Sequence, residues 1–198
     1  MFTGNPVDLP PLETAIDFGV TAISQTTESI DEASKLLSRA LASFKHVTDD
    51  YATLPYEVSF NWDEIELPED LEKEYHCVVF RSKRKADVDP DLYTADRLAH
   101  EEAVVASQGN LLKYCEFPAA LWQGRLILRL GFGSAKADTR ECLATCIWSS
   151  QSWAKRASKL PKHVQAAKLS KDAYESFQLE RFRLIKPLGT RKLNLERV

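Results

Sequence analysis

From Tyr75 onward, apolar positions switch between strand-like alternation and helical spacing, and each switch marks an element. Tyr75-His-Cys-Val-Val-Phe-Arg-Ser82 is dense in β-formers and too short for a helix, which predicts a strand over 75–82. A polar loop follows from Lys83 to Val88. Asp89-Pro90 then starts a helix, with Asp as N-cap and Pro at the first helical position, running to about Gln108 with Gly109 as a left-handed C-cap. In Gly124–Gly131, Leu126, Leu128 and Leu130 share one strand face, and Glu141–Trp148 reads as the next strand. Ser149 or Ser150 caps a short helix through Trp153 and Ala157. Pro161 restarts a second helix, in which His163, Ala167, Ser170 and Tyr174 share one face. The last strand is Phe177–Ile185, closed by Pro187. Strand, helix, strand, strand, helix pair, strand is the order of an α+β, ferredoxin-like β-α-β-β-α-β antiparallel sheet with its helices on one side. The same reading expects the 142–148 strand to pair with 125–131.

The first third is patterned differently. Residues 1–28 are polar, with Pro6, Pro10 and Pro11, and read as an arm. Ser29-Ile-Asp-Glu32 is a capping box, and the helix it opens carries Ile30, Ala33, Leu37, Leu41 and Phe44 on one stripe, ending near His46. Tyr56–Trp62 is a short β-like segment, and an acidic stretch containing Pro68 links it to Glu74. The chain thus divides into an arm (1–28), a helix with short strand and linker (29–74), the ferredoxin-like α+β barrel domain (75–188) and a basic tail (189–198). Along 142–148, Leu143 and Ile147 point one way and Cys142, Cys146 and Trp148 the other, so neither sheet face is polar. Helices cover one face. A second copy of the chain is expected to cover the other, as a homodimer, with the N-terminal helix contributing.

Composition changes this picture little. With 44% hydrophobic and 28% charged among 198 residues, the chain lies outside the disordered range. Its net charge is −3, unevenly spread: no Lys or Arg precedes Lys35, residues 61–75 are acidic, and the stretch from Gln151 is strongly basic. Acidic and basic regions are expected to meet within the fold or across a dimer, rather than to form a polyanion-binding tail. The N-terminus has neither secretory nor mitochondrial character and no apolar run reaches membrane-spanning length, which reads as cytoplasmic, with the nucleus open. Cys77, Cys115, Cys142 and Cys146 lack CxxC spacing and read as packed, reduced thiols, with no metal expected.

Three segments carry a resemblance: Val78-Val-Phe-Arg-Ser82 leading to a helix with Tyr93, Gly109-Asn-Leu-Leu-Lys-Tyr114, and Ile147-Trp-Ser-Ser-Gln-Ser-Trp153 followed by His163, Ala166 and Tyr174. With Leu179-Glu-Arg-Phe-Arg-Leu184 at the end, their order resembles the antibiotic-biosynthesis-monooxygenase branch of the dimeric α+β barrel superfamily, closest to an uncharacterised fungal family. The resemblance implies a fold and no settled reaction. In such proteins the central strands form a hairpin soon after the Lys-Tyr segment. Here Cys115–Arg129 intervenes, as an extended strand with a flap, a lineage-specific insertion or a mispredicted exon boundary.

His163 and Tyr174 are the candidate catalytic and ligand-binding residues, bracketing a cavity between helix and sheet, with Trp153 as a wall and Trp148 beside it. The alternative for His163 is a packed, hydrogen-bonded helix residue, and for the tryptophans plain core. His100, beside Glu101 and Glu102, reads as solvent-exposed. Trp153 and His163 are spaced as in haem-degrading members of the superfamily, but the Asn those use on the first strand is missing around Phe80–Ser82. No cofactor is expected. RNA recognition of the β-α-β-β-α-β kind fails at Ser134 and on the first strand, so no nucleic-acid partner is expected. No P-loop, Rossmann fingerprint, nucleophile elbow or HExxH occurs. The expectation is a non-catalytic dimeric small-ligand-binding or interaction protein. Its alternative is a cofactor-independent monooxygenase acting on a small aromatic or polyketide-like molecule.

Overall fold

The computed structural model describes residues 30–87, 91–107, 110–114 and 139–198. Five strands make one sheet: β1 (Lys73–Arg84), β2 (Asn110–Tyr114), β3 (Glu141–Trp148), β4 (Tyr174–Lys186) and β5 (Asn194–Arg197). Their spatial order is β2-β3-β1-β4-β5, antiparallel at every pairing. The first four strands in that order are the ferredoxin-like arrangement, and β5 extends it. The tail expected over 189–198 therefore holds a strand, with Leu195 opposite Leu184. The strand that follows the first helix and pairs with β3 is Asn110–Tyr114. The expected 124–131 strand and its pairing lie outside the described residues, as do Asp89-Pro90 and Gly109.

Register decides which side chains share a face. Cys77 lies opposite Ile147 on one side and Phe182 on the other, and Val79 opposite Thr145 and Glu180. With Tyr75, Leu143 and Leu184 these residues form the first face, and all of them are buried. Its cover is the chain's own residues 30–67. Leu37, Leu41, Phe44, Tyr51, Tyr56, Phe60, Trp62, Ile65 and Leu67 join the strand residues in a single apolar cluster. The face that argued for a second copy is thus occupied within the chain.

The cover is built from short pieces. Helix α1 spans Glu32–Ala40, with Asp31 as its N-cap: the Asp31 carboxylate accepts from the backbone N–H of Ser34 at 2.9 Å and from the Ser34 hydroxyl at 3.0 Å. The capping box expected from Ser29 is thereby displaced, since Glu32 is the first helical residue and not the third. A tight turn of helix over Leu41–Ser43 ends the rod short of His46. The strand expected over Tyr56–Trp62 is instead the short helix α2, Tyr56–Ser59, followed by a single bridge between Phe60 and His46. The reason is side-chain spacing. Tyr56 and Phe60 lie four apart, a helical interval, and both face the core, while Val58, which strand alternation would bury with them, is 58% exposed. The Ser59 hydroxyl donates back to the Pro55 carbonyl at 2.7 Å, a further helical habit.

Polar contacts fasten cover to sheet. The Tyr56 hydroxyl and Thr145 Oγ1 meet at 2.8 Å inside the core, and the Tyr75 hydroxyl donates to the Ala33 carbonyl. Arg81 donates to Glu180 through Nε and reaches the carbonyls of Ala52 and Leu54 at 2.6 Å each. The acidic and basic stretches meet here too. Arg191 and Lys192 both bind Glu66, and Lys192 also donates to the Asp63 carbonyl. Residues 63–67 are therefore part of the cover rather than a free linker, with Ile65 and Leu67 buried.

The second face carries the helices α3 (Asp91–Ser107), α4 (Gln151–Ala157) and α5 (Pro161–Ser170). Ala95, Ala99 and Ala103, each four apart on α3, are buried, so α3 packs closely on its neighbours. The Glu102 carboxylate accepts the backbone N–H of Lys162, which pins the start of α5 to α3. Among the described residues, no helix is long and apolar enough to cross a membrane.

Candidate functional site

Between the second face and the helices lies a cavity of about 230 Å³. Its floor comes from alternate strand positions: Phe80, Ser82 and Arg84 on β1, and Cys142, Ala144, Cys146 and Trp148 on β3. Its roof follows helical spacing: Leu92, Asp96, Ala99, His100 and Ala103 on α3, with His163, Ala166, Ala167 and Ser170 on α5. Asn110, Tyr174 and Phe177 complete the wall. The space exists because alanines stand where larger side chains would meet.

His163, Tyr174 and Trp148 all border this cavity. Tyr174 does so from the first residue of β4, not from the helix that its spacing predicted, because α5 ends at Ser170. Trp153 is not part of the wall. Its ring stacks beneath the Arg156 guanidinium, 4.3 Å from the centroid, and packs on the small cluster of Ala103, Trp148 and Ala157. His100, expected in solvent, is half-buried and faces the cavity one turn from Asp96.

Arg84 is a wall residue that sequence reasoning missed. It falls at the end of β1, where a polar loop was expected to begin, and it is buried. Its Nη2 donates to the Cys142 thiol at 3.5 Å. The available signal was the charge pattern Arg81-Ser-Lys-Arg84, in which strand alternation points Ser82 and Arg84 one way and Arg81 and Lys83 the other. Chemically, the wall offers imidazoles, a carboxyl, a phenol and a guanidinium around an apolar space. These are groups that can orient a polar substituent or move a proton.

The remaining titratable core groups are packing elements. Burial pushes the Cys77 thiol far up, so it stays protonated and inert on the covered face. Burial raises Tyr56 likewise, against the lowering effect of its bond to Thr145. No group of three or more His, Cys, Asp or Glu residues placed to hold a metal ion occurs among the described residues.

An antiparallel ferredoxin-like sheet with a cavity under its helices makes this an α+β protein. Residues 20–197 match the PB2B2.08-like family, to which the chain belongs. No curated protein matches it. Solved structures that align with this chain include a candidate monooxygenase from Lactobacillus acidophilus (8% identity, TM-score 0.40, covering 66% of this chain and 51% of that one). The chain thus spans about half the length of that protein. A candidate antibiotic biosynthesis monooxygenase from Nitrosomonas europaea aligns at 15% identity and TM-score 0.38, over 60% of this chain and 97% of its own. Hydroxynitrile lyase from Passiflora edulis aligns at 11% and 0.36, over 61% and 96%.

Proposed function

We propose that this protein binds a small, mostly apolar molecule in the cavity between its sheet and helices, with His163 and Tyr174 contacting the ligand and Trp148 forming one wall. The observation that carries the reading is the lining itself: alanines on both helices leave the space open, and a few polar groups converge on it. A binding role without turnover is the simpler form. The second reading, proton abstraction preceding cofactor-free oxygenation, is supported by His100 and Asp96 standing beside His163 around one cavity. Neither reading requires a second chain, since residues 30–67 already close the other face. A homodimer would have to use a different surface.

Native mass spectrometry of the intact protein tests the proposal. The expected result is a co-purified molecule that is lost in His163→Ala while the variant's thermal midpoint stays within a few degrees of the parent. A ligand retained in full by that variant would remove His163 from the site. A ligand insensitive to filling the cavity by Ala166→Leu would remove the cavity.

A further inference from the structure

The cavity continues onto an open stripe of the sheet. On β4, Phe177 lies opposite Ser82 and Leu179 opposite Phe80, and both β1 partners border the cavity. Phe177 and Leu179 therefore share the helix-side face. They are nonetheless 54% and 37% exposed, because α4 packs on β1 and β3 and α3 on β2, leaving this part of β4 open. Two residues on, the same face turns basic: Arg181 lies opposite Val78, and Arg183 opposite His76.

The two arginines differ. Arg183 is held by Glu74 and Glu196. Arg181 has no carboxylate partner among the described residues, and neither has Lys155 on α4. Both are exposed. Val78, the β1 partner of Arg181, and Ala154, the neighbour of Lys155, pack on the same small cluster, so the two cations stand at the same end of the stripe, beside the buried His76 ring. At ~3.3 Å per strand residue, Phe177 and Arg181 are about 13 Å apart along β4. The stripe therefore runs from an apolar cavity mouth to an unbalanced positive end.

Building on the cavity-binding reading, we infer that the ligand is a free single-chain amphiphile with an anionic head, a medium- to long-chain carboxylate. Its chain runs from the cavity over Phe177 and Leu179 to a head held by Arg181 and Lys155. An apolar surface that ends on two uncompensated cations complements that chemistry, whereas an uncharged chain would leave the basic end unused.

Isothermal titration of the intact chain with dodecanoate and with dodecanol tests this. Dodecanoate is expected to bind about tenfold more tightly than dodecanol, the effect of one charge-assisted contact. Arg181→Glu should erase that preference and leave dodecanol within about twofold, while Leu179→Asp should weaken both. Arg181 is an exposed side chain, and circular dichroism of each variant checks that the fold is kept. Equal affinity for the two probes, binding of neither, or an Arg181→Glu variant that keeps the preference would overturn the inference. So would binding to anionic phospholipid vesicles without binding to free dodecanoate. Ala166→Leu separates the two readings. If it abolishes dodecanol binding but the carboxylate shows no advantage, the cavity stands and the basic stripe falls. If it leaves both probes bound, the cavity reading itself fails, and with it this inference.

Discussion

The two faces of this sheet receive opposite treatment from the same chain. The first face is filled by large side chains: Tyr56, Tyr75, Phe182, Leu184 and Ile65 are all essentially inaccessible, and the Tyr56 and Tyr75 hydroxyls have partners. The second face is roofed by alanines and leaves a cavity, half-buried histidines and two exposed apolar side chains on β4. Packing at the first face contributes stability, and the gap at the second forgoes it in exchange for room. The first face is closed by residues 30–67 of the same chain, and the second is the one on which the binding proposal rests.

The contrast can be broken most severely at Phe182, which is 1% exposed and whose ring centroid lies 5.0 Å from that of Tyr56, the two rings tilted against each other. Phe182→Ala should lower unfolding free energy by ~3–5 kcal/mol in urea titration, as for other buried aromatics. Because the covered face needs no second copy, light scattering at high concentration should give the 22.4 kDa of one chain. A mass twice that would show that another surface dimerises. Tyr56→Phe should cost ~1–3 kcal/mol, since it leaves the buried Thr145 hydroxyl with only its weaker 3.3 Å bond to the Val78 carbonyl. Ala166→Leu, on the open side, should change stability by under ~1 kcal/mol, because it fills existing space rather than crowding a packed core. A large loss there would mean the cavity is not available volume.

The smallest effect concerns His76. Burial, together with Arg181 and Lys155, holds its pKa below the ordinary 6.5. The folded state therefore binds fewer protons than the unfolded chain as the pH drops below that value, and stability should decline from about pH 6.5 down to the lower folded pKa. The His76 contribution is fully present above the unfolded value. His76→Gln should flatten this part of a plot of urea midpoint against pH. An unchanged slope would mean that other groups govern it.

Legibility in the sequence followed the same division. The strands at 75–82, 141–148 and 177–185 were readable because β-branched and aromatic runs are short and bounded, and the structure places β1, β3 and β4 around them. The cover was not. Tyr56, Val58, Phe60 and Trp62 alternate like a strand, and only tertiary packing reveals that Val58 faces out while the aromatics turn inward. At the site, His163, Ala167 and Ser170 of the expected four-residue face lie along α5 and border the cavity, whereas Tyr174 reaches it from β4. His100 and Arg84 were lost because a charged or titratable residue among charged neighbours reads as solvated, and burial by a facing element leaves no local mark. Trp153 was misplaced for the reverse reason: aromatic character suggests a wall, but its ring is occupied by Arg156.

The clasp between Tyr56 and Thr145 also carries a consequence in time. The two residues are 89 positions apart, and the cover leaves the ribosome before any strand it will shield. At ~5–20 residues per second, its aromatic cluster waits on the order of ten seconds for β3, and longer for Phe182 and for the Lys192 contact that ties Asp63 and Glu66 down. The part of the molecule that ends up most deeply enclosed is thus the part that spends longest unprotected during synthesis. Its acidic surroundings, free of Lys and Arg before Lys35, give the waiting segment a like-charge repulsion against its own kind.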